Sequence, residues 1–251
     1  MGRAGRACGV SAVKSKRVPR AVREQQMLDA AVRTFARRGY RAASMDEIAE
    51  VAGVSKPLVY LYLNSKEELF SAVIRRESAA LVEAVTAAVE PDAPADRQLW
   101  SGLTGFFAHT AEHPDGWAVL HQQARTHGEP FALEVAAMRA EIVRFVTELI
   151  GAAAQEAGCV GELADREVAG LAHALVGAAE SLAEWANVRT DEDASGEQEQ
   201  EQEQEQEQEQ EREGERERQR PAAKDTAATL MNFAWAGLGR LMDGERWAPE
   251  A

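Results

Sequence analysis

The sequence is poor in cysteine and has no long apolar run. Its two cysteines, Cys8 and Cys159, are far apart in a chain of 251 residues, and two such thiols do not form a disulfide framework. No apolar run approaches the roughly 20 residues that a bilayer-spanning helix needs. The basic N-terminus lacks the continuous apolar segment of a signal peptide. We therefore expect a cytoplasmic protein with no membrane-embedded part.

Sequence patterns for catalysis are also missing. The chain has no Gly-rich phosphate loop and no Gly-x-Ser-x-Gly nucleophile elbow. His109 and His113 are four residues apart, as two zinc ligands on a helix can be, but Pro114 interrupts the helix and no third ligand is evident. We expect no catalytic residues, no metal and no cofactor, and therefore not an enzyme.

The net charge of −14 is distributed very unevenly. Residues 1–66 contain 13 Lys and Arg against 5 Asp and Glu, a balance of +8. Residues 191–220 contain 4 against 14, a balance of −10. Local charge, rather than the total, governs contact with phosphates. A nucleic-acid contact is therefore expected at the N-terminal end.

Apolar residues recur at helical spacing along most of the chain, and no alternating pattern of useful length predicts a strand. The fold class is therefore predicted to be all-α. Longer helices are predicted over about residues 20–38, 66–89, 96–112, 131–157 and 165–187, and again after Pro221.

Two S-x-x-E sequences mark helix starts within the basic end. Ser44 with Glu47, and Ser65 with Glu68, have the spacing of a capping box, in which the serine hydroxyl accepts from the backbone N–H three residues later. Helices are therefore predicted to begin at residues 45 and 66.

A third short helix is predicted between these two. Gly53 ends the first helix, because glycine adopts the left-handed cap conformation without steric cost. Ser55 can cap the next helix, and Pro57 is tolerated in its first turn. Val59 and Leu63 lie four residues apart and should face inward. Two helices joined by a tight glycine-containing turn form a helix-turn-helix, whose second helix enters the DNA major groove.

Many more residues around this helix-turn-helix stand at fixed spacing, and they are Gly39, Tyr40, Ser44, Ile48, Ala49, Ala52, Gly53, Val54, Ser55, Tyr60, Tyr62, Ser65, Lys66, Glu67 and Leu69. With these residues, the region from near Arg23 to Phe70 resembles the DNA-binding domain of the tetracycline-repressor (TetR) family. Leu61 and Leu63 depart from the resemblance, because the family often has histidine and phenylalanine there.

The resemblance implies an N-terminal three-helix helix-turn-helix domain and a C-terminal helical ligand-binding and dimerisation domain. We assign residues 20–66 to the first and 67–251 to the second. Residues 1–19 are predicted to be a disordered basic tail, either solvated or acting as an arm on DNA. Residues 190–221 are a low-complexity loop that includes seven Glu-Gln repeats.

The resemblance also suggests which residues contact DNA. Lys56, Pro57, Leu58 and Leu61 correspond to positions that point towards base edges, where lysine donates to guanine and apolar groups pack on thymine methyls. Phosphate contacts are expected of the hydroxyl-bearing and basic residues at the helix starts and on the second helix. The full predicted set is Ser44, Ser55, Lys56, Pro57, Leu58, Tyr60, Leu61, Tyr62 and Lys66.

In this family the larger domain usually encloses an effector, and the aromatic residues there suggest an apolar or aromatic small molecule. Each of these residues can equally be part of the core. The predicted pocket residues are Trp100, Phe107, Trp117, His121, Met138, Phe145 and Trp185.

The apolar helix after Pro221 needs a partner surface, and we pair it with the helix at 165–187. Two such helices from each subunit would resemble the four-helix dimer interface of the family, and an intramolecular core is the alternative. The sequence thus predicts a homodimeric repressor that is released from a palindromic double-stranded DNA operator by a small effector. The alternative is an effector-independent, nucleoid-type DNA-binding protein.

Overall fold

The computed structural model describes residues 19–156, 165–187 and 222–242. The predicted basic tail, both cysteines and the Glu-Gln loop lie outside the described residues, apart from Pro19 at the end of the tail. The described ranges are helical and contain no strand, so the predicted all-α class is confirmed.

Ten α-helices and one π-helical turn are found within the described residues. They are α1 Arg20–Ala42, α2 Met45–Val51, α3 Lys56–Tyr62, α4 Lys66–Ala87, α5 Ala95–Glu112, α6 Pro114–Ala118, the π turn Val119–Gln123, α7 Ala124–Thr126, α8 Phe131–Glu156, α9 Asp165–Asn187 and α10 Ala223–Met242.

The first helix is predicted to end near residue 38, whereas α1 continues through Gly39 to Ala42. Gly39 has φ 74° and ψ 159°, outside the helical region, and the chain makes one more helical turn after it. This conformation is open almost only to glycine. Gly39 therefore bends the end of α1 and turns Tyr40 back towards the protein.

The serine caps predicted for α2 and α4 are present. The Oγ of Ser44 accepts from the backbone N–H of Glu47 over 3.0 Å, and the Oγ of Ser65 accepts from that of Glu68 over 3.1 Å. Neither glutamate completes its box. Glu47 pairs with Arg38, and the Glu68 carboxylate accepts from a neighbouring amide.

The cap predicted at Ser55 is wrong in one respect. Ser55 occupies the residue before α3 with an extended backbone, but its side chain makes no capping hydrogen bond. Pro57, early in the helix, removes one of the backbone N–H groups that need an acceptor. The Ser55 hydroxyl is consequently exposed at the start of α3.

Aromatic rings join the helix-turn-helix to the rest of the chain. Phe35 of α1 contacts Phe70 of α4 with ring centroids 4.8 Å apart, and Phe70 contacts Phe131 of α8 at the same distance. Tyr40 lies 4.6 Å from Phe70 and 5.3 Å from Phe131. A movement of α4 or α8 would therefore change the packing of α1 directly.

The larger part of the chain is built from α4, α5, α8 and α9, with α10 on its outside. The predicted pairing of α10 with α9 is only partly correct, because α10 packs mainly on α5 and less on α9. Its buried residues Thr226, Ala227 and Leu230 lie on one face. None of the described helices has both the length and the apolarity to cross a bilayer.

Candidate DNA interface and effector site

Helix α3 presents one side to the core and the other to solvent. Val59 is completely buried and Leu63 nearly so, whereas Leu61 is 72% exposed. At 100° per residue, Pro57 and Leu61 lie on the side away from Val59. Pro57 is exposed and Leu58 is half-buried. The outer side of α3 is thus a small apolar surface, and the buried residues on its inner side fix the helix in place.

Lys56 and Tyr60 lie four residues apart on one flank of α3, and both are exposed. The Lys56 Nζ lies 2.7 Å from Oδ2 of Asp46 on α2. This hydrogen bond is the main reason that the pKa of Lys56 is raised. Asp46 therefore holds the one lysine of α3 beside the turn.

A cation–π contact that the sequence did not predict fixes Tyr62. The guanidinium of Arg20 lies 4.9 Å from the centroid of the Tyr62 ring, which is half-buried at the end of α3. Arg20 and Tyr62 are distant in the sequence, and their spacing carries no recognisable signal. The contact joins the start of α1 to the end of α3.

Lys66 caps the end of α1. Its Nζ donates to the backbone carbonyl of Arg41 over 3.1 Å and lies 4.8 Å from the centroid of the Tyr40 ring. Burial lowers the pKa of Lys66. An ammonium group has three N–H donors, so two remain for other acceptors. Ser44 is exposed at the start of α2.

The π turn reaches back to the helix-turn-helix region. The Oε1 of Gln123 accepts from the backbone N–H of Tyr40 over 3.3 Å, and a Cβ added to Gly39 would lie 3.1 Å from the same Oε1. His127 contacts the carbonyl of Gln123 through Nδ1 at 2.6 Å, and its ring lies 5.3 Å from that of Tyr40. π turns occur frequently at functional sites.

Arg76 makes a second connection between the two regions. Its guanidinium pairs with Asp29 of α1 and with Glu77, both at 2.7 Å. Glu77 is itself buried. Arg76 and Gln123 thus contact α1 at two places, Asp29 and Tyr40.

An apolar cavity of about 50 Å³ lies among α4, α5, α6, α8 and α9. Apart from one arginine and one glutamate, all the side chains that line it are apolar. They belong to Leu81, Val85, Leu99, Gly102, Leu103, Phe106, Trp117, Met138, Arg139, Ile142, Phe145, Val146, Leu149, Leu175, Val176, Ala179 and Glu180.

Of the predicted pocket residues, Trp117, Met138 and Phe145 line this cavity and the other four do not. Phe107 is buried in the core and Trp100 is half-buried. His121 lies behind the cavity wall, with its ring stacked on that of Trp117 at 4.9 Å. Trp185 is 64% exposed on α9 and lies on the outer surface.

Two buried polar atoms near the cavity lack a hydrogen-bond partner in the part of the chain that the structure describes. They are Nε1 of Trp117 and Nδ1 of His121. The nearest carboxylate to His121 is that of Glu184, with Oε2 3.7 Å from Nδ1. Burial is the main cause that lowers the pKa of His121, Glu184 opposes it, and Arg125 adds to it. His121 is therefore a neutral ring near pH 7.

The cavity's one charged pair joins α8 to α9. Nε of Arg139 lies 2.9 Å from Oε1 of Glu180, and the two side chains are 30% and 17% exposed. Nη1 of Arg139 lies 3.4 Å from Nδ1 of His173. This pair was not predicted, although Arg139 follows Val135 by four residues and therefore lies on the buried stripe of α8.

Among the described residues no group of three or more His, Cys, Asp or Glu side chains is placed to hold a metal ion. The His109 and His113 rings are 4.6 Å apart. Burial, followed by the neighbouring His113, lowers the pKa of His109.

Large apolar side chains are exposed on the outer face of α9 and α10. Trp185 and Phe233 are 64% and 77% exposed, and Trp235 is partly exposed. An apolar groove of about 510 Å³ between α8, α9 and α10 adjoins Phe233. Exposed apolar surface of this kind marks a contact with another molecule.

Comparison with known proteins agrees with this geometry. Residues 27–73, which include α2 and α3, match the family described as "Bacterial regulatory proteins, tetR family". Residues 95–237, more than half of the chain, match "Tetracyclin repressor-like, C-terminal domain". The chain belongs to the tetR family. The resemblance drawn from the helix-turn-helix is therefore confirmed.

A solved tetR-family structure extends the likeness over most of the chain. A TetR-like transcriptional regulator from Rhodococcus sp. RHA1 has 33% identity and a TM-score of 0.67, and the match covers 89% of this chain and 99% of that one. The fold of an N-terminal helix-turn-helix domain followed by a helical domain is thus shared with that regulator.

Curated tetR-family relatives include proteins that regulate in both directions. The transcriptional activator FasR of Mycolicibacterium smegmatis is 38% identical over 109 residues, covering 43% of this chain and 50% of FasR. The transcriptional repressor SCO4008 of Streptomyces coelicolor is 31% identical over 125 residues, covering 45% of this chain and 62% of SCO4008. The chain thus spans only about half to three-fifths of these relatives. The family and these relatives are DNA-binding transcriptional regulators and not enzymes.

Proposed function

We propose that the protein is a homodimeric repressor that binds a palindromic DNA operator and leaves it when a small apolar or aromatic effector binds. The observation that carries the proposal is helix α3. Its inner residue Val59 is fully buried, while Leu61 is 72% exposed and Lys56 is exposed at the start of the helix. A short helix fixed in this way can present its outer side chains to the major groove.

The exposed chemistry of α3 suits both parts of DNA recognition. Pro57, Leu58 and Leu61 can pack on thymine methyl groups, and Lys56 can donate to guanine O6 and N7. Asp46 competes for the Lys56 ammonium group, because it already pairs with it. This side of α3 therefore favours a half-site that contains thymine and guanine.

Phosphate contacts are proposed for the polar groups around α3. Ser44 and Lys66 lie at helix N-termini, where the backbone dipole favours an anion. Tyr60, Tyr62 and the unused hydroxyl of Ser55 can donate to phosphate oxygens. These contacts orient the protein without reading sequence.

The exposed face of α9 and α10 supports a two-fold dimer. Trp185 and Phe233 would be buried against the same face of a second copy, which is how a self-complementary interface forms. Two copies of α3 related by this axis would read half-sites about 34–36 Å apart in successive major grooves.

The cavity supports an apolar or aromatic effector, and its size indicates that binding changes the arrangement of the surrounding helices. Pockets that hold small ligands measure about 300–1,000 Å³, whereas this one measures about 50 Å³. The surrounding helices must therefore separate to admit a ligand. A ligand that binds only the open arrangement shifts the protein towards it.

A short series of contacts can carry this change to α1. Trp117 lines the cavity and stacks on His121, which lies in the π turn. Gln123, at the end of the same turn, accepts from the backbone of Tyr40. We propose that an effector displaces the π turn, breaks this contact and changes the tilt of the helix-turn-helix.

Footprinting on the DNA upstream of the gene tests the proposal. We expect protection of one palindrome with half-sites one helical turn apart, and loss of protection when an effector is added. Occupancy of long stretches of DNA without a preferred site would contradict operator binding and favour the nucleoid-type alternative. Transcription from the protected promoter in vitro distinguishes repression, expected here, from activation.

A further inference from the structure

The cavity contains one charged pair, Arg139 and Glu180, among apolar side chains. Its position is at the seam between α8 and α9, where the guanidinium is only partly exposed. A ligand whose body fills the apolar part of the cavity would bring any polar group it carries close to this seam.

Arg139 has unused donors. A guanidinium carries five N–H groups, and the hydrogen bond to Glu180 comes from Nε. Nη1 has only a long contact of 3.4 Å with His173. Nη2 has no hydrogen-bond partner among the described residues and lies 3.9 Å from the place of a Cβ added to Gly177. The η nitrogens can therefore receive a second acceptor while Glu180 keeps Nε.

Two further groups near the cavity also lack an acceptor. Nε1 of Trp117 can only donate, and it is buried without a partner. Nδ1 of His121 is buried without a hydrogen bond and faces Glu184, which favours the tautomer with a proton on Nδ1. Buried donors without acceptors are rare in folded proteins, so each is available to an acceptor that comes within reach.

Among the side chains that line the cavity, donors without a partner, on Arg139 and Trp117, thus outnumber acceptors. A cationic ligand would find a single acceptor group there, the Glu180 carboxylate, whose Oε1 already accepts from Nε of Arg139. An anion can bind the η nitrogens of Arg139 without breaking that pair. It can also accept from Trp117.

We propose that the effector is an amphipathic monoanion, an organic acid whose apolar or aromatic body enters the cavity and whose acidic group is bound by Arg139. The inference rests on the proposed effector function of the cavity. Arg139 is the residue that determines specificity for the acid, Trp117 supplies a second donor, and Glu180 limits affinity by repelling the bound anion.

Two fluorescent dyes that differ by one anionic group test this inference. 1-Anilinonaphthalene-8-sulfonate carries a sulfonate, and N-phenyl-1-naphthylamine has the same rings without it. Titrated into the full-length protein, the sulfonate dye should bind about tenfold or more tightly than the neutral dye, as charge-assisted hydrogen bonds to arginine predict.

Three variants test the roles proposed for Arg139 and Glu180. Arg139→Met should weaken binding of the sulfonate dye about tenfold or more and leave the neutral dye unchanged. Glu180→Gln should tighten binding of the sulfonate dye about threefold or more, because it removes the like charge. Arg144→Met is the matched control, since Arg144 lies on the same helix but pairs with Glu148 on the surface and is 67% exposed. It should behave as wild type with both dyes.

The results distinguish two claims, that the cavity binds an effector and that the effector is an acid. Equal affinity of both dyes for the wild-type protein, or an unchanged response of Arg139→Met, would overturn the acidic effector but leave the cavity as an effector site. Binding of neither dye would overturn the acidic effector and the cavity together. Opposite effects of Arg139→Met and Glu180→Gln cannot both come from misfolding, which keeps the test sound if one variant is unstable. Operator binding without dye, measured on the same variants, tests the DNA-reading function separately.

Discussion

Gln123 and Tyr40 are 83 residues apart in the sequence, and the side-chain Oε1 of Gln123 accepts the backbone N–H of Tyr40 over 3.3 Å. The bond joins the π turn behind the cavity to the bent end of α1. It is a direct hydrogen bond between the region proposed to hold the effector and the region proposed to hold DNA.

Replacing Gln123 by alanine is expected to uncouple the two regions. Operator affinity without effector should change by no more than about fivefold, because one part-buried hydrogen bond contributes about 1 kcal/mol. The effector, or an effector-like dye, should then release DNA much less effectively. Anisotropy of labelled operator DNA with and without ligand measures both quantities.

Gln122→Ala is the matched control for that experiment. Gln122 lies in the same turn but is exposed, so its removal should leave ligand response intact. If Gln122→Ala and Gln123→Ala respond to the ligand as wild type does, the contact does not transmit the signal.

Gly39→Ala should destabilise the protein by about 1–3 kcal/mol, because an alanine is strained at positive φ. The φ of Gly39 is 74°, and the added Cβ would press on Oε1 of Gln123 at 3.1 Å. Urea denaturation followed by circular dichroism measures the loss. Gly151→Ala, in a helical position with open space around the Cβ, should instead be neutral or stabilising by up to about 1 kcal/mol. A Gly39 variant as stable as wild type would show that the bend of α1 tolerates a side chain.

Local signals were enough to predict the helix-turn-helix. Ser44 and Ser65 cap their helices as the S-x-x-E spacing predicts, and Val59 and Leu63 face inward as their spacing of four predicts. Each of these features depends on residues within one or two helical turns. The failure at Ser55 has the same local origin, since Pro57 changes which N–H groups need a cap.

The cavity could be predicted only in part, because its wall is assembled from five helices. Met138 and Phe145, both predicted pocket residues, do line the cavity. Helical spacing gave no means to tell that Trp185 lies on the outside of α9. Arg139 could have been found, since a charge at the fourth position after Val135 interrupts a buried stripe. Neither the spacing of residues nor the composition of the sequence indicates the contact of Gln123 with Tyr40.

Asp46→Asn is expected to strengthen DNA binding. The Asp46 carboxylate holds Lys56 at 2.7 Å and places a negative charge next to the residues proposed to contact DNA phosphates. The amide removes that charge and releases the lysine, so affinity should rise on the order of threefold at about 0.1 M salt. Stability should fall by no more than about 1 kcal/mol from the lost charge at the start of α2.

Glu50→Gln serves as the comparison for Asp46→Asn. It removes the same charge from the same helix at an exposed position, without releasing a lysine. The excess effect of Asp46→Asn over Glu50→Gln measures the contribution of Lys56. Equal effects would mean that Lys56 takes no part in binding DNA.

Phe233→Asp should dissociate the proposed homodimer. A charge in place of a side chain that is 77% exposed leaves the fold of one subunit intact, but it would be buried in the interface. The dimer dissociation constant, measured by analytical ultracentrifugation, should rise about tenfold or more. Leu133→Asp, at another exposed apolar position on α8, is the control and should remain dimeric. Dissociation by Leu133→Asp alone would move the interface to a different face.

Stability should depend on pH through His121. Burial lowers its pKa in the folded protein below the ordinary value of 6.5, so the unfolded chain binds the proton more tightly. As the pH falls below about 6.5, the unfolded state takes up protons first, and the free energy of unfolding decreases until the folded state is protonated too. The slope from this one group cannot exceed about 1.4 kcal/mol per pH unit. His109, whose pKa is also lowered, acts in the same direction.

Urea unfolding of wild type and His121→Gln between about pH 8 and pH 5 isolates this effect. At the alkaline end the histidine is neutral in both states, so the difference between the two proteins there is the packing cost of the substitution alone. The variant should then lose less stability than wild type on acidification, and the two curves should converge. Parallel curves throughout that range would mean that His121 binds its proton equally well in the folded and unfolded chains. That result would contradict the lower pKa expected from the burial of its ring near Trp117 and Glu184.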